Sequence, residues 1–492
     1  MRQHDQCQNK IGLGVLAVEL KELICLALRE PNPDGTQTSD GQKALLSLCA
    51  TSRVFRQVAQ PLAYYSITHE RINLVRLVQT LRWRPDLAAS VKQFYQPIAG
   101  IYNVSSEELV FLRSVVDQLR LCSPSQDISR FGRKPEQVVS LEDVCVELII
   151  ALSPNLQTLK LYSLEKGMNQ QNQYPILYAQ FRRASDPNDK SELPCLHHLE
   201  LGRTRTDDMP FTRPSIDTAL MFKATPNLRQ LFLRGITNLH DSTFGQEEFG
   251  SLHPTLIYLH SMELQECALE TRRWGEIFLG QLIDMAPNLE HFRYASEHYR
   301  YPDPVAKHLS VPHMLRAIRT QHVTINLKSM EICLSAFARC KWPNRGNLIQ
   351  VVDLERFSKL ETLKLDENAI CRYYDSPLNA DMSVPTTTCL TEILPRQLKT
   401  FVIRVFKGSE SHIWGDLAHL ASNSFLFPRL EFIGVQAIFK SENENHWMKF
   451  EKKVLEQGLL LKDQFATSRI RVEVEVFKHK LPERENGVLG IV

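Results

Sequence analysis

The stretch Leu152-Ser153-Pro154-Asn155-Leu156-Gln157-Thr158-Leu159-Lys160-Leu161 contains a pattern that returns along most of the chain. An apolar residue is followed by two variable residues, a second apolar residue, one variable residue and a third apolar residue. Because neighbouring side chains of a strand point to opposite faces, the last two apolar residues predict a short strand with one buried face. A proline before the pattern suits the turn into that strand, since proline has a fixed φ and no N–H.

The pattern occurs in nine copies, which begin 28 to 40 residues apart. One such unit cannot bury its own apolar face, so neighbouring units are expected to stack. Helical spacing of apolar residues before several copies, as in 140–152, predicts a helix in each unit. The first apolar residues of the copies are Leu156, Leu196, Leu228, Leu256, Leu289, Leu327, Leu360, Leu398 and Leu430.

This array, roughly residues 90–440, resembles the leucine-rich repeats. The resemblance implies an α/β fold in which parallel strands line the inside of a curved solenoid. Helices lie outside because right-handed crossovers place them all on one face of the sheet.

Two helical patterns precede the array. Leu16, Leu20, Leu23, Ile24 and Ala27 fall at helical spacing and predict an amphipathic helix over Val15–Leu28. The charged residues of this helix are expected to face outward: Glu19, Lys21 and Glu22. A second helical pattern runs from Leu45 to Ala59 and is expected to end at Pro61.

Together these segments resemble the F-box, the helical module by which substrate receptors dock onto the Skp-type adaptor of cullin–RING ubiquitin ligases. The first half of the resemblance lies in Leu16-Ala17-Val18-Glu19-Leu20 and Ile24, although the family usually has proline where Ala17 stands. The second half lies in Leu45, Leu48, 51–56 and 61–65. The resemblance implies an adaptor-binding set: Leu16, Ala17, Leu20, Ile24, Leu48, Ser52, Phe55 and Pro61. The alternative is that these helices only cap the apolar end of the repeat array.

The end of the chain predicts a cap of one helix, Phe439–Leu461, and one strand, Arg469–Phe477. In that strand valines alternate with charged residues, which would cover the open edge of the sheet with charge outward. The expected organisation is an F-box-like module at 11–70, a helical junction with a degenerate first repeat at 71–150, the repeats at 151–440, the cap at 441–480 and a tail at 481–492. The degenerate first strand is expected at Leu87–Phe94.

The variable positions of each copy define the concave strand face. Its central row is predicted to be Lys160, Glu200, Phe232, His260, Arg293, Glu331, Lys364, Val402 and Gly434. Flanking rows include Tyr258 and His291 on one side, and Arg234, Met262, Asp366 and Arg404 on the other. An aromatic and basic patch is the candidate substrate-binding site, because such residues dominate binding hot spots: Phe232, Arg234, Tyr258, His260, His291 and Arg293. The alternative is an ordinary solvated strand face.

The composition excludes several classes of function. The chain has 58 Lys and Arg against 56 Asp and Glu, a net charge of +2, which disfavours nucleic acid as a partner. Eleven cysteines without a Cys-x-x-Cys favour a reducing compartment. Glu19, Lys21 and Glu22 interrupt the apolar amino-terminal run, so no membrane span is expected. These features favour a protein of the cytoplasm or nucleus.

Motifs of catalysis are missing from the sequence. It contains no Gly-x-x-x-x-Gly-Lys-Ser/Thr loop, no Gly-x-Ser-x-Gly elbow and no His-Glu-x-x-His helix. His197 and His198 would point to opposite faces of a strand, and His308 and His313 lack further ligands at suitable spacing. We therefore expect no enzymatic activity, no cofactor and no metal site.

The F-box-like start and the irregular repeats together resemble the fungal F-box/leucine-rich-repeat proteins. This resemblance implies a substrate-recognition subunit of an SCF-type cullin–RING ubiquitin ligase, which binds the Skp-type adaptor and a protein substrate. The alternative is a leucine-rich-repeat scaffold that acts outside any ubiquitin ligase.

Overall fold

A computed structural model shows an α/β protein in which the strands pair in parallel. It describes residues 16–29, 37–68, 73–95, 105–119, 141–163, 193–203, 225–234, 256–265, 267, 279–280, 282–295, 314–315, 318, 326–333, 354–367, 390–406, 413–439 and 444–478. Backbone contacts divide the chain into two units, 1–231 with 241–256, and 232–240 with 257–492. The domain boundaries expected from the sequence remain predictions.

The first unit begins with helices and continues with strands that neighbour one another in chain order. Its described elements are α1 (Val18–Leu28), α2 (Ser39–Thr51), α3 (Arg53–Ala63), β1 (Ser66–Ile67), α4 (Leu74–Trp83), α5 (Pro85–Ser90), β2 (Gln93–Tyr95), α6 (Ser106–Gln118), α7 (Leu141–Leu152), β3 (Thr158–Ser163) and β4 (His198–Arg203). Strand β5 (Gln230–Arg234) lies at the division between the units.

The strands of the second unit also follow chain order. Its described elements are β6 (Ser261–Gln265), β7 (His291–Ala295), β8 (Ser329–Cys333), β9 (Thr362–Asp366), α8 (Leu390–Ile393), β10 (Thr400–Val405), α9 (Ile413–Ser422), β11 (Phe432–Phe439), α10 (Glu444–Phe465) and β12 (Arg471–Lys478). The part of the chain that is described contains no helix with the length and apolar character needed to cross a bilayer.

The register of the strands follows the repeat pattern. Lys160 of β3 lies opposite Glu200 of β4. In the second unit Arg293, Glu331 and Lys364 lie opposite one another in turn, and Val402 and Gly434 continue the row, as the sequence predicts. The apolar residues of the pattern are buried because they face the helices, for example Leu159, Leu161, Leu363 and Leu365. The prediction of an α/β fold built on parallel strands is confirmed.

Asparagine after the proline of the pattern has a structural role. The Asn227 side chain donates to the Pro194 carbonyl at 2.7 Å, and the Asn288 side chain donates to the Ile257 carbonyl at 2.8 Å. Asn155 makes the same kind of bond to the preceding turn. Each amide therefore satisfies a backbone carbonyl of the repeat before it, which explains why the turn favours this residue.

One copy of the pattern was assigned wrongly from the sequence. Strand β6 begins at Ser261, so its apolar residues are Leu259, Met262 and Leu264 rather than Leu256 and Leu259. Leu256 and Leu259 are three residues apart, and so are Leu259 and Met262. Only the second pair is followed by a third apolar residue, Leu264. The predicted strand positions of Tyr258 and His260 are therefore wrong, and Met262 is buried instead of exposed.

The predicted orientation of α1 is confirmed at Glu19 and Glu22, which are exposed, but is wrong at Lys21 and at the leucines. Lys21 is only 4% exposed, whereas Leu20 and Leu23 face solvent. The Lys21 ammonium lies 6.0 Å from the centre of the Phe55 ring, and Cys25, one turn further along, is in the core. The long aliphatic stem of a lysine can cover apolar surface in this way.

The second predicted helix is two helices. Ser52 has an extended backbone (φ −152°, ψ 138°) and separates α2 from α3. The Arg56 side chain donates to the Cys49 carbonyl at 3.1 Å across this corner. Pro61 lies inside α3, which ends two residues later at Ala63, where the Tyr64 N–H still reaches the Gln60 carbonyl.

The junction and the cap differ in part from prediction. Half of the expected strand at Leu87–Phe94 belongs to α5, with Pro85 in its first turn, and only Gln93–Tyr95 is strand. The closing helix begins at Glu444, because Phe439 still belongs to β11. The predicted closing strand is confirmed as β12, which begins at Arg471 rather than Arg469, with Val472 buried and Arg471, Glu473 and Glu475 exposed.

Candidate functional site

Helices α1, α2 and α3 pack around one apolar core. Its buried members are Cys25, Leu45, Cys49, Phe55, Ala59 and Ala63, with Leu28, Leu48, Val58, Leu62 and Tyr64 partly buried against them. Burial raises the pKa of both the Cys25 and Cys49 thiols, so neither is set up as a nucleophile. We call this group of helices the α1–α3 cluster.

An apolar stripe lies on the side of α1 that faces away from this core. Leu20, Leu23 and Ala27 of α1 are spaced at i, i+3 and i+7, which places them on one helix face, whereas Leu16 precedes the first helical residue, Val18. Leu23 is 61% exposed, Leu20 and Ala27 are exposed, and Leu16 is half-buried. Solvent-exposed apolar residues grouped in this way mark an interaction surface more often than single exposed leucines do.

The predicted adaptor-binding residues occupy three environments. Ala17 and Leu20 are exposed, and Phe55 is 1% exposed, so Phe55 supports the cluster from within rather than contributing surface. The others are half-buried: Leu16, Ile24, Leu48, Ser52 and Pro61.

Sequence reasoning missed several exposed apolar residues of the α1–α3 cluster. Val18 and Leu26 of α1, Leu46 of α2 and Val54 of α3 all face solvent. The sequence did carry a signal for Leu46. Leu45 and Leu46 are adjacent in α2, so a helix that buries Leu45 turns Leu46 about 100° away from the core. These residues enlarge the apolar surface of the α1–α3 cluster.

The strand face of the second unit carries a charge ladder, Glu263, Arg293, Glu331 and Lys364. Arg293 contacts Glu263 at 2.6 Å and Glu331 at 3.3 Å, and Lys364 contacts Glu331 at 3.0 Å. Burial raises the pKa of Glu331, but Lys364 and Arg293 outweigh that effect, so its pKa lies below the ordinary value. The ladder alternates in sign and neutralises itself.

A second set of ion pairs runs along the amino-terminal ends of the same strands. Lys328 contacts Glu290 at 2.9 Å, and Lys399 contacts Glu361 at 3.0 Å. The hydrogen bond from Lys328 is the largest cause that lowers the pKa of Glu290. These exposed pairs again cancel charge, so this face offers a partner little net field.

The predicted aromatic and basic patch is therefore split. Phe232 and Arg234 are half-buried on β5, and Arg293 is held between two glutamates. Tyr258, His260 and His291 are exposed, at the amino-terminal ends of β6 and β7. The His260 carbonyl accepts the His291 N–H at 2.9 Å, which brings these two residues together. We call Tyr258, His260 and His291 the turn cluster.

The strand face of the first unit combines a lysine with an aromatic ring and a carboxylate. The Lys160 ammonium lies 4.8 Å from the centre of the Tyr95 ring and 3.2 Å from the Glu200 carboxylate. His198 Nδ1 lies 2.8 Å from the Gln230 side-chain oxygen. The cation is thus stabilised by a π-face and a carboxylate together.

Charged residues near the carboxyl ends of β9 and β10 belong to the interior. Asp366 and Arg404 were expected on the exposed face, but both are buried, with Arg404 Nε 3.7 Å from Asp366 Oδ1. Glu367 accepts the Phe406 N–H at 2.7 Å. Burial raises the pKa of Cys333 to about 12, which disfavours its thiolate.

Within the described ranges, no three histidine, cysteine or acidic side chains are grouped so as to hold a metal ion. His308 and His313 lie outside those ranges. Desolvation by burial, with Arg229 nearby, lowers the pKa of His197.

Comparison of the chain with known protein families and with curated proteins finds no match.

Proposed function

We propose that the chain is the substrate-recognition subunit of an SCF-type cullin–RING ubiquitin ligase in the cytoplasm or nucleus. In this proposal the α1–α3 cluster is the F-box and docks the Skp-type adaptor, while the leucine-rich repeats bind a protein substrate. The observation that carries the proposal is the apolar stripe, which a packed helix presents to solvent. A helix that only capped the array would turn its apolar residues inward.

The stripe has the chemistry of a docking surface. A helix packs into a partner's groove through residues at i, i+3 or i+4 and i+7, and Leu20, Leu23 and Ala27 of α1 have this spacing. Leu46 and Val54 of the neighbouring helices extend the same kind of surface. Burial of an exposed leucine contributes about 1.5–3 kcal/mol, so the loss of two such leucines is expected to weaken binding strongly.

Substrate recognition is assigned to the exposed residues of the repeats. The turn cluster offers two imidazoles and a phenol that are not held in the charge ladder, and Tyr is a frequent hot-spot residue. The mutual neutralisation of Glu263, Arg293, Glu331 and Lys364 favours a substrate that docks by shape and hydrogen bonds over one that docks by net charge.

In this role the chain itself performs no bond chemistry. It holds a substrate lysine at high effective concentration beside the ubiquitin carried by the ligase, which converts a bimolecular encounter into a local one.

Affinity purification of the full chain with mass spectrometry tests the proposal. The wild-type chain is expected to co-purify with a Skp-type adaptor and a cullin, and Leu20→Glu/Leu23→Glu is expected to lose both. Leu109→Glu/Val110→Glu is the matched control, because these residues are exposed on α6 and away from the stripe. The proposal is contradicted if the wild-type chain captures no adaptor. It is also contradicted if all three proteins capture equal amounts. Other captured proteins would then favour a scaffold that acts outside any ubiquitin ligase.

A further inference from the structure

A cavity of about 580 Å³ lies between α4 and α6 in the first unit. None of the residues that line it belongs to the α1–α3 cluster or to a strand. Val115 is buried, and the other lining residues are exposed or half-buried, so the cavity has an apolar base and an open rim. Cavities of this size hold ligands in many proteins. The lining residues are Arg82, Trp83, Phe111, Ser114, Val115 and Gln118.

One tryptophan and one phenylalanine form an aromatic wall of the cavity. The Trp83 and Phe111 ring centres are 6.0 Å apart, with an angle of 61° between the ring planes. Trp83 is nevertheless 70% exposed. Tryptophan is mostly buried in folded proteins, and at a surface it is among the residues that contribute most to binding. The pair therefore offers apolar surface that a side chain of a partner can cover.

Arg82 gives the cavity a positive charge that forms no ion pair with an acidic residue of the described chain. Its guanidinium donates to the Gln118 side-chain oxygen at 2.5 Å, and that amide is neutral. The nearby Arg84 differs, because it is paired with Asp86 at 2.6 Å. A guanidinium has five N–H donors, so Arg82 keeps donors for a carboxylate, which it can bind through two parallel hydrogen bonds.

Arg76 adds a second exposed cation to α4, seven residues before Trp83 and on the same side of the helix. Helix α6 turns no acidic side chain toward the end of the cavity beside Gln118. Asp117 points about 100° away from Gln118 around the helix, and Glu107 lies about 16 Å from Gln118 along the helix axis. The end of the cavity that contains Arg82 is therefore positive.

We propose that this cavity binds an acidic segment of a partner protein. One apolar side chain of the segment packs against Trp83 and Phe111, and a neighbouring carboxylate accepts N–H groups of Arg82. Charge complementarity selects an acidic segment, because the cations of α4 have no acidic partner beside them. An extended segment fits the open rim, whereas a small molecule normally binds where most of its surface is enclosed. The cavity shares no residue with the α1–α3 cluster, so this binding does not rest on the proposed function.

Fluorescence anisotropy with the full chain and three labelled synthetic peptides tests this binding. The first peptide is Asp-Glu-Phe-Glu-Asp, the second has serine in place of phenylalanine, and the third has lysine in place of every acidic residue. The wild-type chain is expected to bind the first peptide saturably and the other two at least about tenfold more weakly. Added salt should weaken binding of the first peptide, because it screens the attraction to Arg76 and Arg82.

Arg82→Glu and Trp83→Ala are each expected to weaken binding of the first peptide at least about tenfold. Arg113→Glu, on another side of α6, and Phe425→Ala, 74% exposed in the second unit, are the matched controls and should leave its affinity unchanged. All four side chains are exposed, so circular dichroism of each variant is expected to match wild type. A wild-type chain that shows no saturable binding, or that binds the three peptides alike, overturns the proposal. So does a first peptide that binds either cavity variant as tightly as it binds wild type.

Discussion

Gly41 of α2 lies against Leu28 at the end of α1. A β-carbon at position 41 would stand 2.6 Å from the Leu28 carbonyl oxygen and 2.7 Å from that of Arg29. Both contacts are with backbone, which cannot move aside as a flexible side chain can. This close approach joins the end of α1 to the start of α2 and so helps to hold the apolar stripe toward solvent.

We predict that Gly41→Ala loosens the α1–α3 cluster. Alanine normally favours a helix over glycine by about 1 kcal/mol, but here the clash with Leu28 reverses the sign. Hydrogen exchange of the α1 and α2 amides is expected to accelerate. Gly415→Ala is the control, since no atom lies within 4 Å of its added methyl group, and exchange in α9 should slow. Slower exchange in both variants would show that the contact is not tight.

Ala17→Pro is predicted to strengthen adaptor binding. The Ala17 φ of −55° is one that proline adopts, and the Ala17 carbonyl, which accepts the Lys21 N–H at 3.1 Å, is kept. Proline at a compatible site stabilises by about 0.4–1 kcal/mol because the unfolded chain loses freedom. Leu20→Pro, inside the helix, is the control and should abolish binding. A lower affinity for Ala17→Pro than for wild type would show that the start of α1 must rearrange on binding.

Glu331→Gln is predicted to destabilise the second unit. The change leaves Arg293 and Lys364 without their shared carboxylate, at an expected loss of about 1–2 kcal/mol in the free energy of unfolding. Glu361→Gln removes the exposed partner of Lys399 and should lose less than about 1 kcal/mol. Denaturant titrations of the two variants would measure the difference. Equal losses would mean that the charge ladder is no more important than a surface pair.

The same ladder predicts a pH dependence. Because the pKa of Glu331 in the folded protein lies below the ordinary value, its stabilising effect is complete above that ordinary value. The effect is lost as the pH falls through the lowered pKa. The stability difference between wild type and Glu331→Gln should therefore shrink in acid, whereas an unchanged difference would contradict the ion-pair interpretation.

Asp416 predicts a pH dependence of the opposite sign. Burial raises its pKa to about 6, against an opposing effect of His419. The folded state then binds the proton more tightly than the unfolded chain, so stability falls as the pH rises from about 4 to about 6. Asp416→Asn should raise the unfolding midpoint at neutral pH and remove this fall. Asp463→Asn, at an exposed position of α10, is the control. It should change neither the unfolding midpoint at neutral pH nor the fall in stability between about pH 4 and about pH 6.

The strand register was predictable because side-chain alternation leaves little freedom. Leu159 and Leu161 must both face the helices, so Lys160 must face away, and its pairing with Glu200 follows. Prediction failed at β6, where Leu256–Leu259 and Leu259–Met262 have equal spacing. The absence of a third apolar residue at Ser261 was the available signal. The error placed His260 on the strand face, whereas it precedes strand β6.

The orientation of α1 could not be read from its own residues. Two faces of α1 carry enough apolar surface to pack against α2 and α3: the apolar stripe, and the face with Lys21 and Cys25. Only the fit of Lys21 over Phe55 and of Gly41 against Leu28 decides between them. The charge ladder was hidden for a related reason, because Glu263 enters the row only once β6 is placed correctly.

Calorimetric titration of the purified full chain with a purified Skp-type adaptor tests the central claim most directly. We predict saturable binding at one adaptor per chain, unchanged in Leu109→Glu/Val110→Glu and lost in Leu20→Glu/Leu23→Glu. Folded wild-type chain that binds no adaptor, or binding that survives the charges on the apolar stripe, would contradict the account.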